Sequence, residues 1–240
     1  MNPEQFKAAL EKHDLPLSGQ QEQQFATYYK LLVAYNQKVN LTTIVEQDDV
    51  YLKHFYDSLT PAFYIPELLQ NKSIVDVGAG AGFPSIPLKI INPDLQVTIV
   101  DSLNKRIIFL QQLIDQLGLK DVRLVHARAE EFGGKRSKDR EKFDFATARA
   151  LARLSVLSEL CLPLVKIGGK LIALKAARAP EELKAAQHAI TTLGGKVEDD
   201  FEFKLPENNE VRNIIVIDKV KETPKKYPRK AGIPNKDPLK

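Results

Sequence analysis

Up to about residue 70 the apolar positions recur at helical spacing, in three successive patterns. The second opens near Ser18, where Ser18 and Gln21 can form a capping box, and it carries Phe25, Tyr28, Leu32, Tyr35 and Val39 along one stripe. Aromatics at that spacing read as core rather than as a ligand platform. Asp48 and Asp49 offer caps for the next helix, Val50 to Tyr64, with Tyr51, Phe55 and Leu59 on one face. From Ser73 onward the pattern changes to short β-branched runs alternating with helical stretches. Strands are predicted at Ser73–Val77, Val97–Asp101, Val122–His126, Phe143–Ala148 and Lys170–Lys175, and helices at Lys105–Leu117, Arg153–Val165 and Pro180–Leu193. Such alternation calls for a parallel sheet with helices on both faces, an α/β fold. Two last strands, Val197–Leu205 and Val211–Val220, are joined by residues 206–210 and predict an antiparallel hairpin at the C-terminal edge. The chain thus divides into a helical extension (1–70), a Rossmann-like sheet domain (71–220) and a tail (221–240).

Composition changes this picture at two points. Cys161, the one cysteine in 240 residues, excludes an intramolecular disulfide, and no Cys/His spacing suggests a metal site. No run reaches membrane-spanning length, and Met1-Asn2-Pro3-Glu4 lacks the marks of an export signal, so a cytoplasmic protein is expected. The net charge of +4 is modest, but between Lys219 and Lys240 eight Lys/Arg stand against Glu222 and Asp237, with four prolines interleaved. This end is predicted to be a basic, poorly helical strip. The mixed-charge loop from Lys135 to Arg140 reads equally as a solvated connection or as a nucleic-acid contact.

The first strand runs through Asp76 into Gly78, Gly80 and Gly82, followed by Phe83 and Pro84. Glycines allow positive φ and close backbone approach to a ligand. The dinucleotide fingerprint needs its third glycine where Phe83 stands, and Asp76 repels a pyrophosphate while favouring an ammonium group. A cationic, phosphate-free cofactor suits this loop better. S-adenosylmethionine is such a molecule, and Asp-x-Gly-x-Gly-x-Gly resembles the first motif of the class I methyltransferases.

In open α/β sheets ligands bind beyond the carboxyl ends of the strands. Asp101 ends the second strand, where an acid can take ribose hydroxyls or simply cap the next helix. After the third, the Ala129 amide and the Glu130 carboxylate can bracket an adenine edge. The fourth leads into Thr147-Ala148-Arg149-Ala150, with no Asn/Asp-Pro-Pro-aromatic motif of the kind used for exocyclic amines. Cys161 lies in an apolar helical pattern, unsuited to the nucleophile that C5 methylation needs. A ring nitrogen such as guanine N7 already carries its lone pair and needs only in-line positioning.

Several segments carry a closer likeness: Asn40-Leu41-Thr42, His54-Phe55-Tyr56-Asp57-Ser58-Leu59, Asp76 to Pro84, Asp101 to Arg106, Thr147 to Ala150 and Lys225 to Lys230. Together they resemble the bacterial 16S ribosomal RNA guanine-N7 methyltransferases, formerly called glucose-inhibited division protein B, over essentially the whole chain. The resemblance implies S-adenosylmethionine contacts at Gly78 and Phe83, an adenine side at Ala129 and Glu130, and Arg149 at the junction of cofactor and substrate. It also implies a 16S RNA or small-subunit substrate, for which Lys175, Arg212, Arg229 and Lys230 are the candidate contacts, and a monomeric enzyme without metal. His54 and Asp57, on neighbouring helical turns, favour a structural hydrogen bond. A dehydrogenase, a small-molecule methyltransferase and an inert ribosome-assembly factor are the competing readings.

Overall fold

The computed structural model describes residues 1–149 and 151–239. Ala150, which closes the motif after the fourth strand, and Lys240, the last of the tail, lie outside the described residues. Helices α1 (Pro3–Glu11), α2 (Gly19–Asn36), α3 (Gln47–Val50) and α4 (Asp57–Tyr64) precede the sheet. Then come β1 (Ser73–Val77), α5 (Ser85–Ile91), β2 (Gln96–Asp101), α6 (Asn104–Leu117), β3 (Val122–His126), α7 (Ala129–Phe132) and β4 (Phe143–Arg149). The chain continues with α8 (Leu154–Cys161), β5 (Val165–Ala176), α9 (Ala179–Thr192), β6 (Gly195–Lys204), β7 (Val211–Lys219) and α10 (Ile233–Lys236). The strands form one sheet in the order β3-β2-β1-β4-β5-β7-β6. β1 to β5 are parallel, and β7 enters antiparallel between β5 and β6. Strand order reverses at β1, so the carboxyl ends of β1, β2 and β4 open a crevice there.

Strand alternation splits the core into two layers. Ile74, Ile99, Phe145, Ile172 and Ile214 face the N-terminal helices together with α5 and α6. Val75, Val77, Val100, Ala146, Leu171 and Ile215 face α8 and α9. The helical extension is fixed to the sheet domain by polar contacts as well as by Phe6, Phe25 and Phe55. Gln21 and Gln24 donate to the carbonyls of Ile90 (2.9 Å) and Leu117 (2.8 Å), which helix ends leave without partners.

Four expectations are corrected in detail. The capping box at Ser18 is present, but α2 ends at Asn36, whose side chain accepts from the Leu41 and Thr42 amides, so Val39 lies beyond the helix. Asp48 and Asp49 sit inside the first turn of α3, after the cap residue Glu46, and Asp49 pairs with Lys53 instead of capping. The expected single helix from Val50 to Tyr64 is interrupted by a π-helical turn, Tyr51–Tyr56. The helix after β4 stops at Cys161 in a 3-10 turn, Leu162–Leu164, because Pro163 cannot continue the ladder, and β5 then starts at Val165, five residues early.

The tail is not the loose strip its composition suggests. Backbone carbonyls and amides in a proline-rich segment lack ladder partners and need side chains to satisfy them. Arg140 donates to the carbonyls of Gly133 (2.8 Å), Thr223 (2.7 Å) and Tyr227 (2.8 Å), and Glu141 accepts from the Thr223 amide (2.7 Å). Arg229 closes on the buried Glu159 carboxylate through Nε (2.9 Å) and Nη2 (2.7 Å). Tyr227 and Pro234 are buried beneath it.

Candidate active site

The glycine loop is seated from below by the N-terminal layer. Tyr28, fully buried on α2, donates its hydroxyl to the Ala81 carbonyl at 2.5 Å and stacks on Phe83 with ring centroids 5.4 Å apart. Gly78, Gly80 and Gly82 all have positive φ, at 71°, 61° and 100°. Their environments differ. A Cβ on Gly80 would meet nothing within 4 Å, whereas one on Gly82 would lie 2.8 Å from Tyr28 Oη and from Ile86 Cγ1. Gly80 therefore faces open space and Gly82 faces packing.

Two acids hold the loop. Asp101 ends β2 with its Oδ1 accepting from the Leu103 amide (2.9 Å) and its Oδ2 from the Gly80 amide (3.3 Å) and Arg106 (3.2 Å). It acts as a helix cap and as a brace for the loop, and its side chain is 1% exposed. Asp76 is fully buried on the N-terminal face; its Oδ2 accepts from the Ser85 amide (3.2 Å) and its Oδ1 has no partner among the described residues. Burial pushes its carboxyl up to about 7, against the pull of Ser85.

The crevice contains two adjoining cavities. The first, about 160 Å³, is lined by Val77 and Gly78 of the loop strand, Ser102, the Arg128–Glu130 turn and the apolar Val156 and Leu160 of α8. The second, about 620 Å³, is lined by Lys53, His54, Asp57, Arg149, Lys175 and Arg212. Leu151 and Ala152 belong to both walls. Leu151 lies against the loop, since a Cβ on Gly78 would stand 2.7 Å from its Cδ1. A small ligand in the first cavity thus reaches the second beside the end of β4.

Arg149, the last residue of β4, organises the second cavity. Its Nη1 donates to the Lys53 carbonyl and to Asp57 Oδ2, both at 3.1 Å, and its Nη2 to His54 Nδ1 at 3.2 Å. Its guanidinium carbon lies 4.8 Å from the Phe83 ring centroid, and His54 stacks on the same ring at 4.5 Å. Asp57 also receives Arg212 Nε at 3.3 Å. The π turn supplies Lys53 and His54, and a turn of this kind adds one residue to the helical repeat. Burial and the adjacent Arg149 push His54 down to about 3, so the imidazole is neutral. Because Nδ1 accepts from Arg149, Nε2 carries the proton and donates to Thr42 Oγ1 at 2.9 Å.

This neutral histidine has a measurable consequence. The unfolded imidazole takes a proton near 6.5 and the folded one only near 3, so between these values the unfolded state binds more protons. Stability is fully present above pH 6.5 and declines as pH falls through the window, with a slope of up to about 1.4 kcal/mol per unit. Asp76 acts in the opposite sense, its folded carboxyl keeping a proton between 3.8 and about 7. Urea denaturation of the parent and His54→Gln at several pH values cancels that background. Equal slopes in both proteins would dismiss the assignment.

The sequence-derived candidates are sorted by these placements. Gly78, Ala129 and Glu130 line the first cavity, and Arg149, Lys175 and Arg212 the second. Asp76, Gly80, Gly82, Phe83 and Asp101 lie outside both linings, where Asp76 and Asp101 hold the loop and Phe83 lies under Arg149. Glu130 accepts from the Gly232 amide at 2.8 Å. Lys175 is held by Glu182 and the Ala152 carbonyl, both at 2.6 Å, and Arg212 by Asp57 and Glu210. Arg229 spends its guanidinium on Glu159, as described, and Lys230 is exposed. His54 and Asp57 meet at Arg149 rather than through the hydrogen bond expected from their spacing. The roles of Leu151, Ser102 and the tail residue Asn235 carried no sequence signal. Tyr28 was visible only as one apolar position in a helical stripe.

Among the described residues no group of three or more His, Cys, Asp or Glu can hold a metal ion, and no helix is long and apolar enough to cross a membrane. Cys161 is fully buried, and burial raises its thiol well above the ordinary range. A thiol reagent is expected to label it only as fast as the protein unfolds. Labelling of the native protein at the rate of a free thiol would contradict that burial.

The fold agrees with that of known proteins. A family model described as rRNA small subunit methyltransferase G matches residues 21–214. Ribosomal RNA small subunit methyltransferase G of Levilactobacillus brevis is 65% identical over 240 residues, covering 100% of this chain and 99% of that protein. The proteins of the same name from Lactiplantibacillus plantarum and Staphylococcus carnosus are 62% and 59% identical, with 100% of this chain and 98% and 99% of theirs covered. Among solved structures, a 16S rRNA (adenine(1408)-N(1))-methyltransferase mutant from Catenulisporales acidiphilia with cosubstrate SAM superposes with a TM-score of 0.53 at 15% identity, covering 66% of this chain and 89% of that one. A SAM-dependent O-methyltransferase from Thermotoga maritima gives 0.52 at 16% identity, covering 80% and 72%. At those identities the structures speak for the class I methyltransferase fold, while the full-length relatives speak for more: the chain belongs to the rRNA small subunit methyltransferase G family.

Proposed function

We propose that this chain transfers a methyl group from S-adenosylmethionine to N7 of a guanine in 16S ribosomal RNA, in line and without a general base. Membership of an rRNA methyltransferase family makes it an S-adenosylmethionine-dependent enzyme acting on ribosomal RNA. The first cavity fits that cofactor. Gly78, with its left-handed backbone, lines it, apolar Val100, Val156 and Leu160 offer a surface for a flat ring, and the Asp101 carboxylate lies beneath the loop, a field that favours a cation. Gly78, Gly80, Ala129 and Glu130 would hold it. When bound, S-adenosylmethionine supplies an electrophilic methyl on a positively charged sulfur.

The observation that carries the N7 reading is the pairing of every ionisable group that the second cavity exposes among the described residues. His54 is neutral and engaged at both nitrogens, Asp57 lies between two arginines, Glu182 holds Lys175, and Glu210 holds Arg212. None is placed to take a proton. Guanine N7 has none to give, since its lone pair forms the new N–C bond as the C–S bond breaks and the sulfur keeps the electron pair. The chain's task is then orientation, with Arg149 fixed in the wall of the second cavity. Lys53, Lys175 and Arg212 around the second cavity, and Lys230 on the tail, are the RNA contacts we assign, since phosphate neutralisation provides much of the affinity for RNA. The same reading makes the protein a monomer acting in the cytoplasm.

The test is transfer of labelled methyl from S-adenosylmethionine to undermethylated small subunits and to their extracted RNA, with nucleoside analysis. Label is expected in 7-methylguanosine. Label in another nucleoside would replace the acceptor assignment, and cofactor binding without any transfer would favour an assembly role.

A further inference from the structure

We propose that residues 232–235 of the tail form the closing wall of the cofactor cavity and that Asn235 recognises the adenine edge of the cofactor. The inference rests on the S-adenosylmethionine reading above and deepens it. It begins from the lining of the first cavity. Most of its lining comes from the ends of β1, β2 and β3, from Leu151 and Ala152 after β4 and from α8. The remaining side is made by Gly232, Pro234 and Asn235, more than 150 positions along the chain from Gly78.

This segment is held in place. Gly232 adopts a left-handed φ of 83°, and its amide donates to Glu130 Oε1, a side chain only 9% exposed. Three residues earlier, Arg229 is anchored by its own amide (2.8 Å) and its guanidinium to Glu159, which is fully buried on α8. Glu130 is therefore the latch between the β3 turn and the tail. Its carboxylate stays at the cavity edge, but one oxygen is committed to the strap.

The polar side chains on this cavity differ in what they can read. Arg128 offers donors only, the Ser102 hydroxyl is a single group, and Glu130 is an acceptor already engaged. Asn235 is exposed, and its side chain makes no hydrogen bond among the described residues. It alone presents a donor and an acceptor side by side. That pair matches the amino donor and neighbouring ring-nitrogen acceptor of adenine, the geometry by which Asn reads adenine elsewhere. The basic tail thus carries a cofactor-binding element in addition to any RNA contact.

Calorimetric titration of the full-length protein with S-adenosylhomocysteine and with S-inosylhomocysteine, in which a carbonyl replaces the amino group, tests this directly. The parent is expected to prefer the adenosyl ligand by about tenfold, the worth of one hydrogen bond near 1.4 kcal/mol. Asn235→Ala should bind the adenosyl ligand about tenfold more weakly and lose most of the preference. Glu130→Ala should weaken both ligands by similar factors, because it releases the wall, and Glu130→Gln, which retains a carbonyl acceptor, should restore them. Asn235→Ala with unchanged affinity and unchanged preference would overturn the inference while leaving the cofactor reading standing. A parent protein that binds neither ligand would overturn both.

Discussion

Replacing Arg149 with alanine is expected to lower turnover by roughly 100- to 1000-fold, the usual cost of removing one preorganised donor at a reacting centre. Stability is expected to fall by much less than such a loss implies in other buried pairs. The reason lies in the network. Asp57 accepts from Arg149 at 3.1 Å but keeps Arg212 at 3.3 Å when Arg149 is gone, so no buried carboxylate is stranded. The reverse substitution, Asp57→Ala, leaves two arginines facing each other and should cost on the order of 3–5 kcal/mol, the penalty of breaking a buried pair from one side. Arg149→Lys separates charge from shape. It keeps the cation but cannot span the Lys53 carbonyl, Asp57 and His54 Nδ1 while lying flat on Phe83. Lysine should therefore recover stability and leave turnover low. Steady-state kinetics beside urea melts decide the matter, and equal large losses of both in Arg149→Ala would make the arginine structural only.

The second large effect contrasts two glycines of the same loop. Gly80→Leu should weaken S-adenosylhomocysteine binding by about 100-fold, because its side chain would stand in the open space over the loop, where nothing lies within 4 Å. Its stability cost is limited to the left-handed backbone, about 1–2 kcal/mol. Gly82→Ala should do the opposite. Its Cβ would press on Tyr28 Oη and Ile86 Cγ1 at 2.8 Å, at a φ of 100°. Overpacking and backbone strain together should cost roughly 2–5 kcal/mol, with cofactor binding lost only as far as the fold loosens. Calorimetry on both variants, set against their denaturation curves, reads the two effects separately. If Gly80→Leu bound the cofactor normally, the loop at Gly80 would not be part of its site.

The agreement between sequence and structure follows the range of each interaction. Apart from the junction of α8 and β5, the predicted strands and helices from Ser73 to Leu193, and the parallel sheet with its antiparallel edge, were legible because alternation and helical period are local consequences of burial. The glycine loop was legible for the same reason: positive φ and close approach select residue type at the position itself. The break in the helix at Tyr51–Tyr56 was not, because a π turn is chosen by what its residues meet, here Arg149 from a strand about 95 positions away.

Charge was the least legible property. A sequence counts Lys and Arg but does not say which carboxylate each will find. Lys175, Arg212 and Arg229 were read as RNA contacts, and each is paired within the chain; Arg140, in a loop that read equally as solvated or as a nucleic-acid contact, anchors the tail through three carbonyls. The chain by itself determined the layered α/β architecture, the cofactor loop and the lack of a reactive cysteine. Only the tertiary structure decided which residues line the cavities, which support them from beneath and where the tail lies, because partners distant in sequence settle where each buried polar group finds its hydrogen bonds.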